Sequence, residues 1–183
     1  MIIRGAQADD AEEIARIYVD CWRDTYAGLI PDDVLVRMSE RRQAVEWCRT
    51  ISRPRLAERV LVVESAREIL GFGSCGPARD SDLPFGGEIY TLYVDLDRRN
   101  EGVGGTLLQA LFTTLVHDRW DSALVWVLSE NPARFFYEAH GGRLVAHRRE
   151  RLWGSKVRQL AYGWQDLAPA AEGRAEHPAS DSD

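Results

Sequence analysis

Lysine is almost absent: of 183 residues only Lys156 is one, so the positive charge rests on arginine and the formal net charge is −6. General affinity for nucleic acid needs clustered Lys and Arg to neutralise phosphates, so this balance argues against it. Cysteine is scarce too. Cys21, Cys48 and Cys75 are odd in number, far apart and never arranged as Cys-x-x-Cys. That pattern excludes a disulfide framework and a zinc site and leaves core packing. His117, His140, His147 and His177 show no i, i+4 pairing and no acidic residue at ligand spacing, so no metal is expected. No apolar run approaches the roughly 18 residues of a membrane span. The opening Met1-Ile2-Ile3-Arg4-Gly5 reads as a strand and not as a secretory signal. No membrane partner is expected, and the cytoplasm is the default location.

What remains has the balance of a globular protein, 45% apolar and 28% charged, at a length that suits one domain. Asp9-Asp10-Ala11-Glu12 resembles a capping box, followed by Ile14, Ile17, Tyr18, Cys21 and Trp22 at helical spacing up to Gly28 and Pro31. Pro31 opens a second short helix through Met38, and Ser39 caps a third that buries Ala44, Trp47, Cys48 and Ile51. Residues 59–64 and 69–75 form an antiparallel hairpin rich in strand formers. A strand from Glu88 to Leu96 precedes a helix from Gly104 to His117 with Leu107, Leu108, Leu111 and Leu115 on one face. Ala123 to Leu128 is an apolar run suited to a strand covered on both faces. A helix opening at Asn131-Pro132 carries Phe135, Phe136 and Ala139 and ends at Gly141-Gly142. Two last strands run near 143–151 and 157–164. From Ala168 the composition turns to Ala, Pro, Glu, Ser and Asp, which implies a disordered tail over 168–183.

The order β-α-α-α-β-β-β-α-β-α-β-β contains one parallel crossover, around residues 88–128, among hairpin-like connections. The expected fold is a single α/β domain over residues 1–167 with a mixed, mostly antiparallel sheet.

The chemistry concentrates in Arg98-Arg99-Asn100-Glu101-Gly102-Val103-Gly104-Gly105, between a strand and a helix. Unpaired N–H groups and the positive end of a helix dipole make such a place an anion site, glycines let the backbone approach phosphate, and arginine forks suit phosphate oxygens. A solvated turn with an arginine pair is the plain alternative. A dinucleotide fingerprint would need glycine where Leu107 stands, and a Walker loop would need lysine before Thr106. What is left is Arg-x-x-Gly-x-Gly-Gly after an extended strand.

This motif resembles the Gln/Arg-x-x-Gly-x-Gly/Ala signature of the GNAT superfamily of N-acetyltransferases, matched by Arg99, Gly102 and Gly104. Further resemblance lies in Trp22-Arg23 with Tyr26 and Gly28, in Leu92-Tyr93-Val94, and in Asn131-Pro132 with Phe136-Tyr137-Glu138. It extends over residues 1–167, and the ending Tyr162-x-Trp164-x-Asp166-Leu167 looks most like uncharacterised bacterial members. The resemblance implies a sheet with a splayed central parallel strand pair flanked by helices. It also implies acetyl-CoA as donor, its pyrophosphate on the loop 98–105 and its pantetheine along the backbone of Leu92, Tyr93 and Val94.

Acetyl transfer needs a held thioester, a polarised carbonyl and a protonated leaving thiolate. The resemblance makes Tyr137 the acid that protonates the thiolate, and core packing is the other reading of a tyrosine beside two phenylalanines. Asn131 is either a helix cap or a pantetheine contact. Glu88 opens the cofactor strand where several family members carry a base, and a solvated strand end is its alternative. Trp22, Asp24 and Tyr26 are substrate-pocket candidates, or core and cap residues. The acceptor is then a primary amine of a small molecule or peptide, with a cationic amine favoured by the negative charge. Homodimers are common in the family. Two other classes stay open: an idle acyl-CoA-binding module and a nucleotide-binding regulator.

Overall fold

The computed structural model describes residues 1–54, 57–152 and 154–168. The first helix, α1 (Ala11–Tyr26), buries Ile14, Ile17 and Cys21 of the expected face together with Ala15 and Val19, and leaves Tyr18 and Trp22 half-buried. Its start differs. A single 3-10 turn, Ala8–Asp10, comes first, and the cap lies one turn earlier than the expected box: the Asp10 carboxylate accepts from the Gln7 N–H at 2.6 Å. Arg4 fixes that carboxylate by donating to both of its oxygens, at 2.7 and 2.9 Å. Pro31 then leads into α2 (Asp32–Val36), and Ser39 caps α3 (Glu40–Ser52) by accepting from Arg42 N–H.

Seven strands form one sheet: β1 (Ile2–Gly5), β2 (Arg59–Ser65), β3 (Glu68–Pro77), β4 (Gly87–Val94), β5 (Ala123–Leu128), β6 (Arg143–Leu152) and β7 (Ser155–Trp164). Their order is β1-β2-β3-β4-β5-β7-β6, and only β4 and β5 run parallel, joined through α4 (Val103–His117). The mixed, mostly antiparallel sheet is therefore the one expected. The remaining helix, α5 (Ala133–Ala139), follows β5. Two layers cover the sheet. On one face α4 packs Leu107, Leu108, Leu111 and Leu115 against Ile89, Val125 and Val127. Burying each such side chain contributes about 1.5–3 kcal/mol. On the other face α1 and α3 pack Ile14, Ile17 and Trp47 against Val62, Ile69 and Phe72. Alternation along β5 sends Val125 and Val127 to α4 and Leu128 to the opposite side, with Tyr26, Ile30 and Leu35.

One irregularity positions the site. Ser74 pairs with Thr91 but Cys75 pairs with Ile89, so Tyr90 is the extra residue of a β-bulge in β4. The parallel pairing of β4 with β5 covers only Gly87, Glu88 and Ile89. From the bulge onward β4 stays on β3 and parts from β5. It ends at Val94 and not at Leu96, because the Asp95 carboxylate accepts from Asp97 N–H and starts a 3-10 turn.

Of the aromatic residues that α5 carries, Phe135 is 56% exposed under the Arg134 guanidinium, while Tyr137 is buried. Of the segment 168–183, all but Ala168 lies outside the described residues. Among the described residues no helix is long and apolar enough to cross a membrane.

Candidate active site

Where β4 parts from β5 a cleft of about 690 Å³ opens, walled by Leu92, Tyr93 and Val94 on one side and by Asn131, Phe136 and Tyr137 on the other. Backbone groups on the β5-facing edge of β4 beyond Ile89 have no strand partner among the described residues. Unpaired N–H and C=O groups along an extended edge are a template for an extended polar chain. Cys21 covers the end of that edge, its thiol donating to the Val94 carbonyl at 3.2 Å, and burial pushes the thiol up to about 11.

At the floor of the cleft α4 begins. Gly102, at φ +80°, is in the left-handed region that glycine enters without a steric penalty, and Asn100 precedes it at φ +66°. The first intrahelical bond is Thr106 N–H to Gly102 C=O, so the N–H groups of Val103, Gly104 and Gly105 have no intrahelical acceptor. No acidic residue stands in that turn to use them. A side chain at Gly104 would crowd the cleft: a Cβ there would lie 3.3 Å from the Phe136 ring and 3.6 Å from Val94. Arg98 and Arg99 line the cleft while pinned at its rim, to Glu68 on β3 at 3.1 Å and to Asp24 on α1 at 2.7 Å. Val103 turns its side chain into the core, Glu101 is exposed, and neither lines the cleft.

Tyr137 is buried against Phe136, Tyr162 and Trp164, yet it borders the cleft, and its hydroxyl has no hydrogen-bond partner among the described residues. Burial, with the neighbouring Tyr26, holds it well above the ordinary tyrosine range, so it stays protonated at neutral pH. Asn131 is a cap: its Oδ1 accepts from Ala133 N–H at 2.8 Å, while its Nδ2 donates to the Tyr26 hydroxyl at 3.3 Å.

A second, polar pocket of about 330 Å³ is lined by Arg79, Asp80, Ser81, Glu88, Trp126 and Arg148. It lies on the sheet face away from α4, since Trp126 alternates with Val125 and Val127. Glu88 is only 1% exposed, so it is no solvated strand end. Its carboxylate accepts from the Arg79 backbone N–H at 2.9 Å, from Nε at 3.1 Å and from Nη2. The Arg79 guanidinium lies 4.5 Å from the Tyr90 ring centroid, and the Tyr90 hydroxyl donates to the Pro77 carbonyl at 2.6 Å. Glu88 and Tyr90 thus share Arg79 as a neighbour despite the bulge between them. Across the pocket Arg148 stacks on Trp126 at 4.0 Å and donates to Gln159.

The other candidates separate. Asp24 lines the cleft beside Arg99 and not the polar pocket. Trp22 donates to the Tyr93 hydroxyl at 2.9 Å within a cluster that includes Tyr18 and Tyr26, and none of the three lines the polar pocket. Sequence reasoning missed Arg79, Trp126 and Arg148, which come from a loop and two different strands with no shared spacing. It also missed His140, whose ring lies over Phe136 and beside Gly105.

Residues 57–141 match the model of the acetyltransferase (GNAT) domain. An uncharacterised N-acetyltransferase of Bacillus subtilis, YuaI, is 30% identical over 167 residues, covering 91% of this chain and 94% of the relative. The chain belongs to the GNAT acetyltransferase family. Its members named in these comparisons are N-acetyltransferases, and this chain is an acyltransferase dependent on acetyl-CoA. The GNAT fold recurs in an N-acetyltransferase from Staphylococcus aureus, with a TM-score of 0.70 at 21% identity over 91% of this chain and 98% of that one. The PaiA N-acetyltransferase of Thermoplasma acidophilum, solved with coenzyme A, gives 0.62 at 19% identity over 87% and 96%.

Proposed function

We propose that residues 1–167 form one catalytic domain that moves an acetyl group from acetyl-CoA directly to a primary amine, with donor and acceptor meeting at the β4 bulge. The observation that carries this reading is the parting of β4 from β5 directly above the unpaired first turn of α4. It offers an extended edge of the length and polarity of a pantetheine arm and a donor-rich end for a pyrophosphate. Arg98 through Gly105 supply the anion contacts, Leu92, Tyr93 and Val94 the edge, and Asn131 the opposite lip. A backbone N–H of that edge polarises the acetyl carbonyl, an effect of roughly 3 kcal/mol where such donors have been removed from other enzymes. Tyr137, protonated and without a partner, donates to the departing thiolate. Glu88 takes the proton of the amine, which enters from the polar pocket on the other face of the sheet.

The three free thiols Cys21, Cys48 and Cys75 fit a reducing compartment, which supports the cytoplasm as the site of action. Thiol release from acetyl-CoA, recorded over a panel of amino acids, polyamines, aminoglycosides and peptides, tests the reading. Turnover on at least one amine is expected. Tight coenzyme binding without turnover on any member would favour the idle acyl-CoA module instead.

A further inference from the structure

Glu88 is a carboxylate almost wholly removed from water, and a carboxylate in such a place is unfavourable unless donors answer its oxygens. The groups around it divide clearly. Asp80 and Arg148 line the pocket with it, and Tyr90 lies beside it on β4. Asp80 is acidic and opposes its charge. Arg148 is shared between Asp80 at 3.8 Å and Glu150 at 3.4 Å. Among the described residues Arg79 hydrogen-bonds to Glu88 through three donors, and it is held there by the Tyr90 ring and by the loop closure Ala78 N–H to Gly86 C=O at 2.8 Å.

We propose that Arg79 is the positioning partner that holds the Glu88 carboxylate in place at the polar pocket, where it takes the acceptor's proton. This rests on the reading of Glu88 as the base. The Arg79 side chain is itself 65% exposed and lines the pocket beside the carboxylate. The arrangement separates two tasks: Arg79 orients Glu88 but does not line the cleft of Leu92, Tyr93, Val94 and Tyr137. Its loss therefore lowers turnover and leaves acetyl-CoA affinity alone.

The test measures thiol release from acetyl-CoA by the full chain, with the amine of the panel that turns over fastest, beside calorimetric acetyl-CoA affinity. Arg79→Met is expected to lower kcat about tenfold with acetyl-CoA Kd within about twofold. Arg79→Lys, which keeps the charge but loses the fork, should recover part of that loss and shows that the fold survives change at this position. In a Glu88→Gln background Arg79→Met should add almost nothing. An unchanged kcat in Arg79→Met, beside a Glu88→Gln variant that is impaired, overturns the inference. If Glu88→Gln itself turns over normally, the assignment of Glu88 as base falls.

Discussion

The two ends of β4 solve different problems with different parts of the chain. Beyond the bulge, Leu92 to Val94 and the loop 98–105 present backbone: free edge groups, three N–H groups of a helix turn and glycines that leave room. Before the bulge, Glu88 presents its side chain, in a pocket assembled from β3–β4 loop, β5 and β6 residues. The first end should tolerate loss of side-chain atoms and resist their addition, and the second should do the reverse. A cofactor common to a family suits the first strategy, and an acceptor that differs between members suits the second.

Tyr137 would break this division, because it borders the cleft and the proposed acid role rests on its hydroxyl. Tyr137→Phe removes one unpartnered oxygen and no packing, so folding stability should change by less than about 0.5 kcal/mol. Turnover should fall about 10²-fold while coenzyme affinity stays within about twofold. Single-turnover rates beside calorimetric Kd values check this split. An unchanged chemical step would return Tyr137 to the core.

Gly104 tests the backbone end by addition. Gly104→Val pushes against Phe136, the wall of the cleft, and overpacking of this kind costs about 1–3 kcal/mol. Affinity for coenzyme A should drop roughly tenfold, with the turnover number at saturation changed far less. Truncating Leu92 to alanine should weaken binding by under about threefold, since the bonds offered there are backbone bonds. Calorimetry in which the two variants behave alike would dissolve the contrast between the two ends.

The same contrast explains what could be read from the sequence. The helix faces of α1 and α4, the hairpin β2–β3 and the buried run of β5 follow from periodicity, because each is a local pattern answered by one packing face. The glycine loop was legible since backbone approach demands glycine at fixed spacing. The start of α1 was not, because the cap that forms is stabilised by Arg4 from β1, a residue outside the local window. The pairing of Glu88 with Arg79, and of Arg148 with Trp126, depends on which loop and strands adjoin β4, and that is a property of topology. The pairing of Asp24 with Arg99 was not legible either, since only the fold shows that Arg99 reaches α1.

Asn131 sits at the lip between the two ends and gives the smallest expected effect. Its Oδ1 caps α5, and its Nδ2 ties the Tyr26 hydroxyl, whose own ionisation is opposed first by burial. Asn131→Ala should cost about 1 kcal/mol of stability through the cap. Asn131→Asp keeps an oxygen for the Ala133 N–H but turns the donor toward Tyr26 into an acceptor, so it should retain most of that stability. If coenzyme affinity follows stability across the two variants, Asn131 serves the cofactor only by shaping α5. If Asn131→Asp keeps its stability and still binds coenzyme A severalfold more weakly, the side-chain amide itself contacts the pantetheine arm, and the backbone end of β4 has one side-chain partner across the cleft.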